Sequence, residues 1–349
     1  MRRLASIIAP ACVALSLSAC LSVVVEGTSS ATASSSTTDT GDATDESGDG
    51  DPGDGDGDPG DGGSFRVAVI ADSHVPPTGF DPGEDISLAL ARQRLEGAID
   101  KINAIDPAPE FVVVTGDLVH AAYEGSDAQW YQDNPNAFAD MAEILDRSMV
   151  PVYPLFGESD YGVPDFSKLL SHQLFAQFYA RDPYYSVDHG GWRFVFSNSQ
   201  FGQTFDEGTL KFDPTLETGS YGGTQLSWLA GELEAGMPTV LFTHFPLEQI
   251  AADEAPNNGI YTDLDAVFAA AGGAVQLILA AHLHEWTEDP GSFIAPQIGL
   301  GSTRYDTDNF IVIEFTANSS EYAIIDYAKI GWGTREAETW VYDGEPGPP

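Results

Sequence analysis

The chain has 349 residues, which allows one large domain or two small ones. Its 54 acidic and 14 basic residues give a formal net charge of −40 at pH 7, and such a charge repels polyanions, which argues against nucleic acid as a partner. Both cysteines, Cys12 and Cys20, lie within residues 1–20, so the remainder of the chain can form neither a disulfide nor a thiolate metal site.

Residues 1–20 have the composition of an export signal, with two arginines near the start, a short apolar middle and small residues at the end. The final Leu-Ser-Ala-Cys resembles a bacterial lipobox, which implies cleavage before Cys20 and attachment of lipid to its thiol. Cleavage at another position, as in an ordinary secretory peptide, is the alternative. We therefore expect an exported, lipid-anchored protein. Leu21 stands where an aspartate would resemble an inner-membrane retention signal, which favours the outer membrane or the cell surface of a bacterium.

Residues 21–64 are rich in Gly, Ser, Thr and Asp and contain almost nothing that could be buried, so we predict a disordered acidic linker. A calcium-binding loop that starts at Asp54 is the alternative, but Pro59 occupies the position where such a loop needs glycine. A single domain is predicted at residues 65–335. Residues 336–349 are predicted to be a disordered tail.

Strand-like and helix-like segments alternate after the linker. Apolar runs predict strands at residues 66–71, 111–115, 150–156, 192–197, 239–243, 275–280, 310–315 and 322–327. Helical periodicity predicts helices near residues 86–102, 138–145, 166–179 and 224–233. Several of the strands are apolar at every position, which indicates that both of their faces are buried. Such strands, interleaved with helices, predict a layered α/β fold.

Ionisable side chains follow five of these strands, at the point where each strand ends. They are Asp72 and His74, Asp117, Glu158 and Asp160, His244, and His282 and His284. Because the carboxyl ends of strands in an open α/β sheet converge on one crevice, these side chains can meet there. Carboxylates at strand ends could instead cap helices, but capping does not explain the histidines. Imidazole and carboxylate donors suit zinc, manganese or iron, so the pattern predicts a metal site.

The order of these short motifs is more informative than any one of them. They read Asp-x-His at 72–74, Gly-Asp at 116–117, Gly-Glu-Ser-Asp at 157–160, Thr-His at 243–244 and His-x-His at 282–284. Together they resemble the calcineurin-like metallophosphoesterase family across nearly the whole predicted domain. The resemblance implies an αββα sandwich, in which two mixed β-sheets are flanked by helices.

The resemblance also implies two metal ions and their ligands. One ion would be bound by Asp72, His74, Asp117 and His284, and the second by Asp117, Glu158, His244 and His282, with Asp117 bridging the two. The ions would be divalent or of mixed valence, with Mn, Zn and Fe as candidates. Two such ions about 3.5–4 Å apart can acidify a shared water and neutralise charge on a phosphoryl oxygen. We therefore expect hydrolysis of small phosphate mono- or diesters outside the cytoplasm, by attack of a metal-bound hydroxide.

The third motif departs from the family pattern, which has Asn and His where this chain has Glu158 and Ser159. Glu158 can still bind a metal through oxygen. A serine hydroxyl, however, is too weak an acid to protonate a leaving group, and Asp160 lacks the histidine that it would orient in the family. We therefore take Ser159, Asp160 and His120 as the candidate catalytic residues, with His120 and His189 as the nearest candidates for a replacement acid. For both histidines, a position on the surface or beside the ligands without a catalytic role is the favoured alternative.

Two functions are open on this basis. The first is a dinuclear phosphoesterase that is attached to a membrane through lipid on Cys20 and acts on a small phosphoester. The second is a catalytically impaired surface lipoprotein of the same fold that acts as a binding protein, and the change at Ser159 favours it. A nuclease, a third activity of the same superfamily, conflicts with the strong negative charge.

Overall fold

The computed structural model describes residues 63–120, 125–161, 168–202, 205–206, 211–212, 219, 221–247, 250, 267–289, 295–325, 331–336 and 339–346. The predicted signal peptide, the lipidation site Cys20 and residues 21–62 of the predicted linker lie outside the described residues. Within the described ranges, no helix combines the length and the apolar character that crossing a bilayer requires. The elements given below all belong to one compact unit, Gly57–Pro349.

The strands are β1 (Ser64–Ile70), β2 (Phe111–Thr115), β3 (Val152–Leu155), β4 (Tyr185–His189), β5 (Trp192–Phe196), β6 (Phe205–Asp206), β7 (Lys211–Phe212), β8 (Thr239–Thr243), β9 (Val275–Ala280), β10 (Thr287–Asp289), β11 (Gln297–Gly299), β12 (Phe310–Thr316), β13 (Tyr322–Ile324), β14 (Gly331–Glu336) and β15 (Thr339–Pro346). The helices are α1 (Ile86–Asn103), α2 (Ala128–Asp133), α3 (Ala137–Leu145), α4 (Lys168–Tyr179) and α5 (Gly222–Glu234), and a 3-10 turn spans Ser159–Tyr161.

Two mixed sheets contain most of the strands. The first has the order β13-β12-β1-β2-β3, in which β1, β2 and β3 are parallel and β12 and β13 are antiparallel to their neighbours. The second has the order β10-β11-β9-β8-β5-β4, with parallel pairs in the centre and an antiparallel strand at each edge. In each sheet the parallel strands end at the same edge, which brings the residues that follow them together.

The central strands of the first sheet, β1 and β2, bury both faces. In β1, Val67 and Val69 belong to the apolar core that also contains residues of the second sheet, whereas Ala68 and Ile70 pack in a core with α1, α3 and α4. This alternation follows from the two-residue period of a strand. The first sheet therefore has helices on one face and the second sheet on the other.

The second sheet repeats this arrangement. In β8, Val240 and Phe242 lie in the core between the sheets, and Leu241 lies in a third core with Leu226 and Leu229 of α5. Helices, sheet, sheet and helix thus form four layers. The α/β class and the αββα architecture that the resemblance implied are both confirmed.

The long apolar strands were the easiest elements to predict. β2, β8 and β9 have the predicted bounds, and α1 ends one residue beyond its prediction. The sequence did not indicate α2, β10 or β11, which are short and carry polar residues. Of the predicted helix at 166–179, residues 166–167 lie outside the described part of the chain. β15 lies within the segment that was predicted to be a tail.

Candidate metal centre

Five of the residues that follow the strands share an unusual backbone conformation. Positive φ angles occur at Asp72 (50°), His74 (45°), Asp117 (47°), His282 (70°) and His284 (57°). A left-handed backbone costs a residue with a side chain roughly 1–2 kcal/mol, so it persists only where surrounding contacts impose it. Among the other described residues that carry a side chain, only Ala180 and Asn318 adopt it. The strain is therefore concentrated at the edge where the strands end.

Four of these side chains form what we call the first cluster: Asp72, His74, Asp117 and His284. Their donor atoms lie within 4.8 Å of one another, and all four residues are buried. The Nε2 atoms of His74 and His284 are 3.1 Å apart, and Nε2 of His74 is 3.3 Å from Oδ2 of Asp117. Two imidazole nitrogens at this distance can share one proton or one cation.

The second cluster contains Glu158, His244 and His282, whose donor atoms also lie within 4.8 Å of one another. Oε2 of Glu158 is 2.6 Å from Nε2 of His244, and Oε1 is 2.9 Å from Nδ1 of His282. On the other side of its ring, Nδ1 of His244 lies 3.0 Å from the carbonyl oxygen of Thr115. Because a carbonyl can only accept, Nδ1 carries the proton, and Nε2 is directed into the cluster.

Asp117 lies between the two clusters. Its Oδ2 faces His74 of the first cluster at 3.3 Å, and its Oδ1 is 3.5 Å from Nε2 of His244 in the second. Each carboxylate oxygen is thus directed at a different cluster. This is the arrangement that a bridging carboxylate requires.

Two glycines allow the motifs to approach this closely. A Cβ on Gly116, where φ is 80°, would lie 2.5 Å from Nδ1 of His244. A Cβ on Gly157 would lie 2.2 Å from Oδ1 of Asp117. Any side chain at either position would displace a donor atom, so these glycines are needed for the shape of the centre.

Protonation in the centre follows from burial and from close charges. Burial and the charge of Glu158 raise the pKa of Asp117 to about 6. Burial opposes protonation of His244, but the carboxylates of Asp117 and Glu158 outweigh it and raise the pKa of the imidazole well above its usual value. Burial and the nearby His284 lower the pKa of His74. The carboxylates thus hold a positive charge among them.

The donor set fits metal ions. Oδ2 of Asp72 and Nδ1 of His74 are buried without a hydrogen-bond partner, and both belong to the first cluster. Buried carboxylates of this kind are costly unless they are paired or bind a cation. Imidazole and carboxylate donors are the ligands that Zn²⁺, Mn²⁺ and iron accept.

Ser159 and Asp160, two of the candidate catalytic residues, contact protein groups. The hydroxyl of Ser159 donates to Oδ2 of Asp117 at 2.9 Å. Asp160 is fully buried, and its carboxylate accepts hydrogen bonds from the backbone N–H groups of Gly157 at 2.8 Å and Val119 at 3.0 Å. Asp160 therefore holds the turn of the third motif against the segment that follows β2.

The two candidate replacement acids lie in different places. The ring of His120 is half-buried, 6.4 Å from the ring of His74 and 5.4 Å from that of Phe80, so it borders the first cluster. His189 is paired with Glu110 at 3.0 Å and packs on Phe65, at the amino-terminal ends of β1 and β2. That is the end of the sheet opposite the clusters, so the interpretation of His189 as a replacement acid was wrong.

The sequence did not indicate the residues whose hydrogen bonds fix the backbone next to the clusters. Ser302 and Thr303, both fully buried, contact the backbone of residues 71–72, and Tyr221 contacts Thr243, which precedes His244. The signal in the sequence was a short run of small polar residues, Gly301 to Thr303, that follows an apolar segment. Such a run reads as an ordinary turn until its partners are known.

Comparison with known proteins gives similarity to phosphatases. The family model "Calcineurin-like phosphoesterase" matches residues 65–286. Serine/threonine-protein phosphatase CPPED1 of Rattus norvegicus is 27% identical over 181 residues, 50% of this chain and 51% of the relative, and the Mus musculus protein of the same name is 28% identical over the same shares. The chain thus spans about half the length of these curated relatives.

Solved structures show a likeness at lower identity. A dimetal phosphatase from Danio rerio is 17% identical with a TM-score of 0.48, covering 75% of this chain and 98% of that one. A purple acid phosphatase from yellow lupin (Lupinus luteus) is 15% identical with a TM-score of 0.49, covering 75% and 51%. The family match, by contrast, spans every residue of both clusters and well over half of the sequence. This chain belongs to the calcineurin-like phosphoesterase family.

Proposed function

We propose that this protein hydrolyses small phosphate mono- or diesters outside the cytoplasm, using two metal ions bound by the clusters. The observation that carries the proposal is the position of Asp117, whose two carboxylate oxygens face different clusters. A site for one metal ion would not need a carboxylate whose two oxygens face different groups of ligands. Family membership supports the phosphoester bond as the target.

Each ion would have a defined set of ligands. Asp72, His74 and His284 would bind one ion together with Oδ2 of Asp117. Glu158, His244 and His282 would bind the other together with Oδ1 of Asp117. When bound, a pair of divalent ions supplies positive charge for a phosphoryl oxygen and lowers the pKa of a coordinated water towards neutrality. The nitrogen and oxygen donors favour Mn, Zn or Fe.

The protein groups have separate tasks around this pair. The carbonyl of Thr115 holds His244 in the tautomer that directs Nε2 into the cluster. Three carboxylates, Asp72, Asp117 and Glu158, offset three of the four charges of two divalent ions. An anionic substrate is therefore attracted less strongly than it would be with an asparagine at position 158.

Protonation of the leaving group is the weak step in this chain. The hydroxyl of Ser159 is engaged with Asp117 and is a poor acid. His120 is the one histidine outside the clusters whose ring borders the first cluster, and we assign the proton to it. Burial and the charge of Arg304 lower the pKa of His120, so the ring is mostly neutral at pH 7 and supplies only part of the usual help. Esters with good leaving groups are therefore the favoured substrates.

The expected location and partners are part of the proposal. The lipobox-like Leu-Ser-Ala-Cys supports attachment to the outer membrane or cell surface through lipid on Cys20, and the net charge of −40 supports a small substrate over nucleic acid. The relatives are named as serine/threonine-protein phosphatases, so a phosphoserine peptide belongs in the substrate panel.

A second function, a binding protein without turnover, is favoured by the engaged hydroxyl of Ser159. The two are separated by assaying metal-loaded protein with nitrophenyl phosphate, bis-nitrophenyl phosphate and a phosphoserine peptide, with Mn, Zn, Fe or Co in turn. Metal-dependent release of product that is lost in Asp117→Asn supports the enzyme. Tight phosphate binding without turnover by any loaded form supports the binding protein.

A further inference from the structure

The loop that follows β11 holds the backbone that precedes the first cluster. The hydroxyl of Ser302 donates to the carbonyl oxygen of Asp72 at 2.7 Å. The backbone N–H and the hydroxyl of Thr303 both donate to the carbonyl oxygen of Ala71, at 3.0 and 3.1 Å. Ser302 and Thr303 are fully buried, so water does not compete for these bonds.

These contacts act where the backbone needs support. The φ angle of Asp72 is 50°, a conformation that residues with a side chain avoid. A hydrogen bond to the carbonyl of the strained residue restricts rotation of the following peptide plane. Ser302 therefore helps to hold the backbone that carries the Asp72 carboxylate.

The same loop reaches the other end of the first cluster. Nδ2 of Asn309 donates to the carbonyl oxygen of Ser302 at 2.8 Å, and Nε1 of Trp286 donates to Oδ1 of Asn309 at 3.1 Å. Trp286 is two residues beyond His284. A chain of hydrogen bonds thus connects Asp72, through Ser302 and Asn309, with the segment that carries His284.

Helix α1 anchors this loop from outside. Nε of Arg304 donates to the hydroxyl of Ser87 at 2.7 Å, and its guanidinium pairs with Asp85, the cap of α1. Nζ of Lys101 donates to the hydroxyl of Thr307 at 2.7 Å. The loop therefore has fixed contacts on both sides.

The second cluster is held by different residues. The hydroxyl of Tyr221 donates to Oγ1 of Thr243 at 2.8 Å, and the hydroxyl of Ser197 donates to that of Tyr221 at 3.0 Å. Thr243 directly precedes His244. Each cluster thus has its own hydrogen-bonded support, and a change in one support can be compared with a change in the other.

Given the proposed metal binding, on which this inference rests, we propose that Ser302 and Asn309 are positioning residues that set the affinity of the first cluster for its ion and not that of the second. Both residues lie beyond the segment 65–286 that matches the family model. The residues of the loop after β11 would therefore set the affinity for one ion without changing the affinity for the other. Loss of a hydrogen bond to a ligand side chain typically lowers metal affinity about 10- to 100-fold, and we expect a similar effect from loss of the bond that holds the backbone of Asp72.

The test measures Mn²⁺ affinity by calorimetry in two backgrounds. His282→Gln leaves the first cluster complete, and His284→Gln leaves the second complete. We expect Ser302→Ala to weaken Mn²⁺ binding about 10- to 100-fold in the His282→Gln background and to change it less than about threefold in the His284→Gln background. Ser302→Thr restores a hydroxyl and should recover most of the affinity. Tyr221→Phe is the matched control: it should weaken Mn²⁺ binding in the His284→Gln background and leave it nearly unchanged in the His282→Gln background.

Asn309→Asp gives an independent reading because it keeps the volume and the acceptor for Trp286 but removes the donor to Ser302. It should act in the same direction as Ser302→Ala, and circular dichroism of each variant shows whether the fold is kept. Equal losses in both backgrounds, or no loss in either, would overturn the positioning role. If the parent protein with both clusters complete binds no Mn²⁺, the proposed function itself fails, and the two failures are thereby distinguished.

Discussion

Ser159 and Asp117 share two hydrogen bonds: the hydroxyl of Ser159 donates to Oδ2 at 2.9 Å, and its backbone N–H donates to Oδ1 at 2.8 Å. Ser159, which stands where the resemblance implied a histidine, thus contacts the carboxylate that lies between the two clusters. The hydroxyl proton of Ser159 is directed at Asp117, a proposed metal ligand, so it is not available to protonate a leaving group. Under the proposed function, this relationship would separate metal binding, to which Asp117 would contribute, from acid catalysis, to which Ser159 would not.

Ser159→His should restore protonation of the leaving group. We expect the activity towards alkyl phosphates to rise about a hundredfold, the lower end of the contribution of a general acid, and the activity towards nitrophenyl phosphate to rise much less. A series of phosphate esters with graded leaving-group pKa values checks this through the slope of log kcat/KM. Ser159→Ala is the control, since it removes the hydroxyl without adding an acid. A slope that is unchanged by the histidine would contradict the assignment.

His120→Asn should affect turnover without affecting metal content. The ring borders the first cluster but belongs to neither donor set. Because the ring is mostly neutral at pH 7, we expect kcat for alkyl phosphates to fall only about tenfold, less than a fully competent general acid contributes. Metal analysis of the same preparation should show the parental ratio. A loss of metal would mean that His120 acts on the cluster and not on the leaving group.

Gly157→Ala should disrupt the centre because the new Cβ would lie 2.2 Å from Oδ1 of Asp117. We expect a loss of about 1–3 kcal/mol in the free energy of unfolding and weaker metal binding. Gly231→Ala is the matched control: this glycine lies within α5 with open space around the position of a Cβ. It should raise stability by up to about 1 kcal/mol. Chemical denaturation of the metal-free proteins measures both, and equal behaviour of the two variants would contradict the packing described here.

Asp85→Ala should destabilise the protein in a pH-dependent way. Burial acts to raise the pKa of Asp85, but hydrogen bonds from Ser87 and Leu88 and the charge of Arg304 outweigh it and lower the pKa. A carboxyl with a lowered folded pKa adds stability above its unfolded pKa of about 3.9, and this stability is lost as the pH falls through the folded value. The variant should therefore lose about 1 kcal/mol at pH 7, as is typical for a helix cap, and less near pH 3.

Asp85→Asn separates the cap from the charge. The amide oxygen can still accept from the backbone of Leu88, so most of the capping should remain. The ion pair with Arg304 is lost, so the cost relative to the parent should still fall towards low pH, by the same amount as for Asp85→Ala, but it should be smaller at every pH because the cap is kept. Urea unfolding at several pH values distinguishes the two variants. A cost of Asp85→Ala that is independent of pH would show that the ion pair contributes nothing.

The sequence predicted those parts of the fold in which local pattern and tertiary burial agree. β2, β8 and β9 are apolar at nearly every position because both faces are covered, so their bounds were visible in the sequence. β10 and β11 have three residues each and exist because they pair at the edge of the second sheet. No local pattern indicates such strands.

The clusters could be predicted because parallel strands end at the same edge of a sheet, so the residues that follow them lie close together. What could not be anticipated was the role of each polar neighbour. Asp160 accepts from two backbone N–H groups, and the hydroxyl of Ser302 reaches a carbonyl 230 residues away in sequence. His189 showed the opposite error, since a histidine that the sequence offered as a replacement acid lies at the far end of the sheet.

The most direct test of the two-ion centre is metal content, measured by mass spectrometry on chain that has been stripped and then reloaded with Mn²⁺. The geometry around Asp117 predicts a ratio of about two ions per chain, falling to at most about one in Asp117→Asn, because that variant removes the carboxylate that faces both clusters. A ratio near zero in the unaltered protein, or a ratio of two that the variant leaves unchanged, would contradict it.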